Sequence, residues 1–328
     1  MKFLVVSSCT SRKRAPVRVG DDSLRVSSLR NGGYESVARQ WKDLVSASEV
    51  KHHASLLYCG RTVTDANKAT EAVSGQLAFV SAGMGVVLDV RKSSKGDEEK
   101  IPSYSLTVSP GNPDSVERVI GKNFLSVKWW LALTKALGTS DRLKHLIEDR
   151  SCHLAFLAMP ASYIEMVSGE LKALSSKDLG KLRIFGPRRI SDVPKFLQSA
   201  VMPYDERLNS KKIGMAGTES DFAQRALLHF VTKIFPSYKS ANQSEHAAVV
   251  VKFLAPYSYE RKKIGIKLND KEIIKLVRKL VKELGLGQGK MLRHLRDNEG
   301  IACEQTRFRK IFLTVSRSKK CKKNLKTY

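Results

Sequence analysis

The chain has 328 residues, 42% of them hydrophobic and 27% charged, which is enough apolar content for folded cores and excludes a largely disordered polymer. Its 58 Lys and Arg residues outnumber 32 Asp and Glu residues, so the formal net charge is +26 and the expected partner is a polyanion. No apolar run approaches the roughly 20 residues of a membrane-spanning helix, and the first residues have the pattern of a strand and not of a signal peptide. We therefore expect a cytoplasmic protein without membrane contact.

The cysteines indicate neither a metal nor a disulfide framework. They are odd in number, widely spaced and without the CxxC or Cys/His spacing of structural zinc sites: Cys9, Cys59, Cys152, Cys303 and Cys321. We expect no metal, and no feature of the chain predicts a cofactor.

Apolar strands alternate with amphipathic helices through most of the chain. In chain order we predict a strand at 3–7, helices at 34–47 and 64–73, a strand at 77–81, a helix at 124–137, a strand at 153–159, a helix at 161–174, a strand at 182–185, and helices at 218–235 and 244–254. Residues 20–33 are predicted as a mobile loop and 91–100 as an exposed one. This order predicts an α/β domain with a layered sheet that contains parallel strands.

The end of the chain is much more basic than the rest. Residues 257–328 hold 21 Lys and Arg against 7 Asp and Glu, a net charge of +14, whereas residues 1–256 carry +12. We therefore predict an α/β domain at 1–256 and a small basic helical domain at 257–328. Helices at 269–284, 290–297 and 303–315, separated by glycine turns, outline a helix-turn-helix unit.

Cations of this second domain are candidates for phosphate contacts. On the last two helices these are Lys290, Arg293, Arg296, Arg307, Arg309 and Lys310. Residues 317–326 hold six basic side chains and no acidic one, Arg317, Lys319 and Lys320 among them, and predict a flexible arm. The expected partner is nucleic acid, DNA more than RNA. A simpler interpretation stays open, in which these helices are ordinary solvated faces or dock a protein.

Four short motifs in the first 110 residues follow a recognisable order. They are CTSRK at 9–13, LYCG at 57–60, SAGMG at 81–85 and PSY at 102–104. Together they resemble a superfamily of α/β domains that includes the bacterial peroxide-stress DNA-binding proteins, the middle domain of archaeosine synthases and uncharacterised domains from phage-defence neighbourhoods. The resemblance implies a fold similar to that of uracil-DNA glycosylases and related base-handling enzymes.

We expect the turns after the strands to converge on a pocket for a nucleotide-like ligand. The candidate catalytic residues are Cys9, Asp65, Ser81 and Tyr104, and the candidate cations are Arg12, Lys13, Arg14 and Arg61. Asp65 or Asp221 would activate water in a glycosidic cleavage. Simpler interpretations are that Cys9 is a small buried residue, that the aspartates cap helices and that Tyr104 packs in the core.

These features favour nucleic-acid binding coupled to recognition or processing of a base or nucleotide, in phage defence or DNA repair and in company with other proteins of such a complex. An enzyme of this kind would be an N-glycosidase or a base-modifying enzyme. Two alternatives stay open: a non-enzymatic DNA-binding scaffold or regulator, and an accessory protein for the modification of transfer RNA.

Overall fold

The computed structural model describes residues 2–17, 23–89, 99–259 and 265–324, with side chains as far as residue 316. Two compact units divide between Tyr259 and Glu260, three residues after the predicted boundary. Most of the predicted exposed loop 91–100 lies outside the described residues, as do residues 20–22 of the predicted mobile loop, whereas Val26–Ser28 forms a turn of 3-10 helix. Among the helices of the described ranges, none combines the length and the apolar character that a bilayer crossing needs.

The first unit has an α/β fold around a mixed sheet. Its described strands are Lys2–Ser8 (β1), His52–His53 (β2), Gln76–Ser81 (β3), Gly85–Asp89 (β4), Lys100–Ile101 (β5), Cys152–Ala158 (β6) and Leu182–Phe185 (β7). Five of them form the sheet in the order β4-β3-β1-β6-β7, while β2 and β5 pair separately. β1 pairs in parallel with both β3 and β6, and β7 is parallel to β6. Val5 and Val6 are fully buried because β1 is central and is covered on both faces.

Strand β4 departs from the prediction, which contains no strand between those at 77–81 and 153–159. The chain reverses tightly after Ser81, and β4 returns antiparallel to β3 with Ser81 opposite Gly85. Gly85 has φ +68°, a left-handed conformation that favours glycine. The turn therefore closes a hairpin instead of leading into a crossover.

Helices cover the sheet on both faces. They are Tyr34–Ala47 (α1), Ala54–Leu57 (α2), Arg61–Ala72 (α3), Glu117–Ile120 (α4), Ser126–Leu137 (α5), Arg142–Glu148 (α6), Ala161–Met166 (α7), Ser168–Lys172 (α8), Ser176–Gly180 (α9), Phe222–His229 (α10) and Gln243–Leu254 (α11). Trp41 of α1 and Trp129 of α5 are fully buried, and their indole nitrogens donate to the carbonyls of Gly83 and Ala82 at 2.6 and 2.8 Å. These bonds fix the hairpin turn against the helices.

Several predicted helices have different boundaries in the structure; α3, for example, was predicted at 64–73 and spans Arg61–Ala72. The helix predicted at 161–174 is two short helices, and Glu170 of α8 is buried where it accepts a 2.6 Å hydrogen bond from Trp130, a tertiary contact that local patterns do not reveal. Thr218 caps a 3-10 turn that precedes α10. α11 begins one residue before the predicted 244, at Gln243, because the Asn242 side chain caps it by accepting from the Glu245 amide at 3.0 Å.

The strand order creates a topological switch at the centre of the sheet. From β1 the chain moves to β3 on one side and later returns to β6 on the other. In open α/β sheets, ligands bind in the crevice outside the carboxyl ends of the two strands at such a point. Ser8 and Ala158 are the last residues of these two strands.

The second unit contains Ile266–Lys267 (β8), Asp270–Leu284 (α12), Gln288–Asp297 (α13), Ile301–Ala302 (β9) and Gln305–Asn324 (α14). Its core is formed by apolar residues of the three helices, including Ile273, Val277, Met291, Leu295, Phe308 and Ile311. α12 begins at an Asn269 capping box and ends at Gly285, as predicted. The predicted flexible arm instead continues α14 to Asn324, because residues 316–324 contain no glycine or proline to end the helix.

Candidate functional site

A cleft of about 750 Å³ opens at the carboxyl ends of β1, β6 and β7 in the first unit. It is lined by residues of the segments 8–12, 59–62, 160–163, 186–188 and 218–223, with Thr107, Ser109, Asn112 and Asp192. Arginine side chains, carboxylates and many hydroxyl groups therefore border one space. Its volume lies within the roughly 300 to 1,000 Å³ of small-molecule sites.

The turn after β1 holds Cys9 and Arg12 at this cleft, as predicted. The amide of Cys9 donates to the Val80 carbonyl at 2.9 Å, which continues the pairing of β1 with β3 beyond the strand. The Thr10 hydroxyl donates to the Arg12 carbonyl at 2.7 Å and closes the turn. The Cys9 thiol lies 3.4 Å from the Tyr163 hydroxyl, and both side chains line the cleft. Cys9 is thus a partly exposed thiol beside a hydroxyl group and not a purely apolar core residue.

Ser81 and Tyr104 lie behind the cleft instead of bordering it. The Tyr104 hydroxyl is 2.5 Å from the Ser81 hydroxyl and 2.7 Å from that of Tyr58, and all three residues are buried. Ser81 also accepts hydrogen bonds from the amides of Gly83 and Met84. Burial, the largest cause, raises the pKa values of Tyr58 and Tyr104, which keeps both phenols neutral. This network organises the strand ends rather than meeting a ligand.

Lys13 has a position unlike that of an exposed phosphate contact. Its Nζ lies 4.0 Å from the centre of the Tyr104 ring and donates to the Thr10 carbonyl at 3.3 Å. Burial, the largest cause, lowers the pKa of Lys13 below its ordinary value. The side chain borders a recess of about 60 Å³ that shares Cys9 and Tyr163 with the cleft. Arg14, by contrast, is exposed and borders neither space.

The carboxylates Asp65 and Asp221 differ in their access to the cleft. Asp65 is buried and does not line it, and it accepts from Arg61 Nε at 3.2 Å. Burial, the largest cause, raises the pKa of Asp65. Asp221 lines the cleft, but its Oδ1 is already engaged by Arg225 Nε at 2.5 Å and by the Thr218 amide at 2.9 Å. Asp221 is therefore held as a structural carboxylate in the wall.

Arg188 is a cleft residue that we did not single out from the sequence. Its guanidinium stacks on the Phe222 ring at 3.6 Å, and its Nη2 donates to Glu219 at 2.5 Å. Its Nη1 is buried and has no hydrogen-bond partner among the described residues. A signal was present in the sequence, because Gly186, Pro187 and Arg188 form a basic turn directly after a strand, as Arg12 does after β1. The cleft is therefore lined by arginines from three separate segments: Arg12 and Arg188 from the turns after β1 and β7, and Arg61 from the start of α3.

Two of the predicted phosphate contacts in the second unit make internal bonds instead. Arg296 donates from Nε and Nη2 to the Cys303 carbonyl at 3.1 and 2.6 Å. Arg307 donates to Asp270 at 2.7 Å and to the Leu268 carbonyl at 2.8 Å. These bonds tie α13 and α14 to their neighbouring segments. Lys290, Arg293, Arg309 and Lys310 are exposed, and the side chains of Arg317, Lys319 and Lys320 lie outside the described residues.

The outer face of α12 carries a basic stripe whose residues were not among the predicted phosphate contacts. Five exposed cations lie along it: Lys271, Lys275, Arg278, Lys279 and Lys282. Each of them lies three or four residues from another of the five, which is the helical period, so the pattern is visible in the sequence once the helix is assigned. Glu283 is the acidic neighbour, 4.0 Å from Lys279.

Within the part of the chain that the structure describes, no group of three or more His, Cys, Asp or Glu side chains converges to hold a metal ion. The chain matches no protein-family model, no curated protein and no solved structure.

Proposed function

We propose that this protein binds nucleic acid, DNA in preference to RNA, through the basic surface of its second unit, and that the cleft of its first unit accepts a base or nucleotide. One observation carries the proposal: five exposed cations follow one face of α12, in a region with a net charge of +14 over residues 257–328. Cations in such a row neutralise successive phosphates and release their counterions.

The layout of the second unit supports a helix-turn-helix mode of binding. α12 and α13 are joined by a short turn with φ +59° at Gly285, and Lys290 and Arg293 are exposed on α13. In this mode α13 enters the major groove, and the α12 stripe lies along the backbone. Lys290 and Arg293 then approach base edges or the flanking phosphates.

The first unit supports the second half of the proposal. Its cleft lies at the topological switch of a mixed α/β sheet and offers arginines for phosphate, together with hydroxyl groups for the sugar and base. We further propose that the first unit has a glycosylase-like fold that handles a base. The protein would then act in phage defence or DNA repair. A protein of this kind would recognise or process a base presented by the bound strand.

The binding experiment compares two matched variants of the full chain by fluorescence anisotropy at several salt concentrations. In the first, the five cations of the α12 stripe become Gln. In the second, five exposed cations of the first unit become Gln: Arg39, Lys42, Lys68, Lys128 and Lys172. We expect the stripe variant to lose duplex affinity and its salt slope to fall by about four to five, whereas the control keeps most of its affinity.

Competition and product analysis complete the test. Unlabelled duplex DNA should displace a fluorescently labelled DNA duplex from the protein better than transfer RNA does. The reverse order would favour an accessory protein for the modification of transfer RNA. Mass spectrometry of nucleosides after incubation with DNA and RNA tests base processing, and unchanged nucleosides would leave a non-enzymatic binding protein. An affinity for duplex DNA that does not depend on salt would contradict nucleic-acid binding by the second unit. Equal losses of affinity in the stripe variant and the control variant would contradict it as well.

A further inference from the structure

We propose that Lys13 is a covalent amine site, which forms an imine with the aldehyde of a sugar that has lost its base. The inference deepens the proposed function and rests on it, because the aldehyde reaches the cleft as part of a bound nucleic acid.

The backbone holds Lys13 at one position beside the cleft. Lys13 forms an antiparallel β-bridge with Tyr58, and the Arg14 amide donates to the Leu57 carbonyl at 2.9 Å. The aliphatic stem brings Nζ to 4.0 Å from the centre of the Tyr104 ring. Among the described residues, Nζ has one hydrogen bond, to the Thr10 carbonyl, and it is long at 3.3 Å. Within those residues the amine is therefore fixed in place without an ion pair to a carboxylate.

The space around Lys13 suits a small reactive group attached to a larger ligand. The recess that Lys13 borders measures about 60 Å³ and holds only a few atoms. It shares Cys9, Asn112 and Tyr163 with the cleft of about 750 Å³. A carbonyl group can therefore enter the recess while the rest of a nucleotide occupies the cleft.

The environment of Lys13 favours attack on a carbonyl carbon. An amine is nucleophilic in its neutral form, and burial lowers the pKa of Lys13 toward that form. The nitrogen lone pair forms a bond to the carbonyl carbon while the π electrons of the C=O bond move to oxygen. A proton then passes from nitrogen to oxygen to give a carbinolamine, and loss of water gives the imine.

A carboxylate is available to carry the protons of these steps. Asp114 borders the same recess and accepts a 2.6 Å hydrogen bond from the Ser105 hydroxyl, which orients it. It can take the proton from nitrogen after attack and return one to the departing hydroxyl group. Asp114 is thus the proton carrier of the site.

The chemistry of the amine selects the class of ligand. Amines form imines with aldehydes and ketones, and an intact nucleotide presents neither in reactive form. A deoxyribose without its base opens to an aldehyde at C1′, so the ligand is an abasic position in DNA. A nucleic-acid-binding protein with a fixed, desolvated amine beside its cleft is suited to capture that aldehyde.

The experiment traps the imine by reduction. The full-length protein is incubated with duplex DNA that contains one abasic site, or with intact duplex, in the presence of cyanoborohydride, and the adduct is located by peptide mass spectrometry. We expect an adduct with abasic DNA alone, and Lys13 should be the most heavily modified lysine, because its fixed position beside the cleft and its burial both favour attack by its amine. Lys13→Met removes the adduct and keeps the aliphatic stem, and the control Lys172→Met, an exposed lysine of α8, retains it.

Two further measurements separate the possible failures. Anisotropy with the same abasic duplex, without reductant, reports binding by itself. Binding without a Lys13 adduct would overturn the imine and leave the proposed function standing, whereas absence of binding would overturn the proposed function. Limiting propanal with cyanoborohydride, applied to the wild-type protein alone, tests the amine independently of any variant's folding: early labelling of Lys13 supports the proposal, and labelling of exposed lysines before Lys13 contradicts it.

Discussion

Tyr204 and His229 are joined inside the first unit by a 2.8 Å hydrogen bond between the phenolic oxygen and Nδ1. Both side chains are 2% exposed, and burial, the largest cause, lowers the pKa of His229 to about 4. The unfolded chain binds a proton near pH 6.5, so this histidine contributes full stability above that pH and loses it as the pH falls toward 4.

This pKa shift predicts an acid sensitivity that one substitution reduces. Between pH 7 and pH 4 the wild-type protein should lose about 3 kcal/mol more unfolding free energy than His229→Gln, whose amide is neutral at both values. Urea unfolding followed by tryptophan fluorescence measures this in the first unit, since all three tryptophans, Trp41, Trp129 and Trp130, belong to it. Parallel pH profiles for the two proteins would show that His229 is not the source.

A second prediction concerns Arg225, which is fully buried and holds the cleft residue Asp221. It bonds Asp221, the Asn209 side chain and the carbonyls of Met215 and Thr218. Arg225→Lys should lower the unfolding free energy by about 3 to 5 kcal/mol, because an ammonium group cannot reproduce the guanidinium fork and leaves buried acceptors unpaired. The half-exposed pair of Arg207 with Asp205 is the control, and Arg207→Gln should cost less than about 1 kcal/mol. Equal losses would contradict the structural role of Arg225.

A third prediction uses two glycines with opposite surroundings. A Cβ added at Gly83 would lie 2.9 Å from the Tyr104 ring and 3.2 Å from Trp41. Gly83→Ala should therefore destabilise the first unit by about 1 to 3 kcal/mol. Gly169, in α8, has open space around it, and Gly169→Ala should stabilise by up to about 1 kcal/mol. Thermal melting of the two variants checks both signs, and a neutral Gly83→Ala would argue against the tight turn.

A fourth prediction separates structural from contacting cations in the second unit. Arg296→Gln removes two hydrogen bonds to Cys303 and should lower the melting temperature of this unit. Arg293→Gln should leave melting unchanged and weaken DNA binding, with a salt slope smaller by about one, since Arg293 is exposed. Calorimetry and anisotropy on both variants distinguish the two effects. If Arg293→Gln also lowers the melting temperature, its loss of affinity does not indicate a phosphate contact.

Local sequence signals were sufficient to predict helix and strand boundaries where buried residues recur with a simple period. Strand β7 and helix α1 have the predicted boundaries, and α12 ends at its predicted glycine because cap and period agree. The cleft position of Cys9 and Arg12 follows from a polar turn after a central strand.

Tertiary contacts decided the rest, and no local pattern contains them. Ser81 and Tyr104 have polar hydroxyl groups that satisfy each other in the core, so residue type alone could not distinguish packing from catalysis. The sequence pattern placed Arg296 and Arg307 among the phosphate contacts. Folding instead brings Arg296 to the Cys303 carbonyl and Arg307 to the Asp270 carboxylate. Strand β4 depended on a hairpin that a glycine turn permits but does not require.

The pairing of β1 with β6 has a consequence for how the chain acquires its structure. Val6 faces Leu157, so the middle of the sheet forms only after some 150 intervening residues have been made and a long loop has been closed. During synthesis β1 can pair with β3 once residue 81 has been made, but its other edge stays without a partner until β6 has been made. We therefore expect slow maturation of this part and a dependence on chaperones, in contrast to the rapid local assembly of the three helices at the other end.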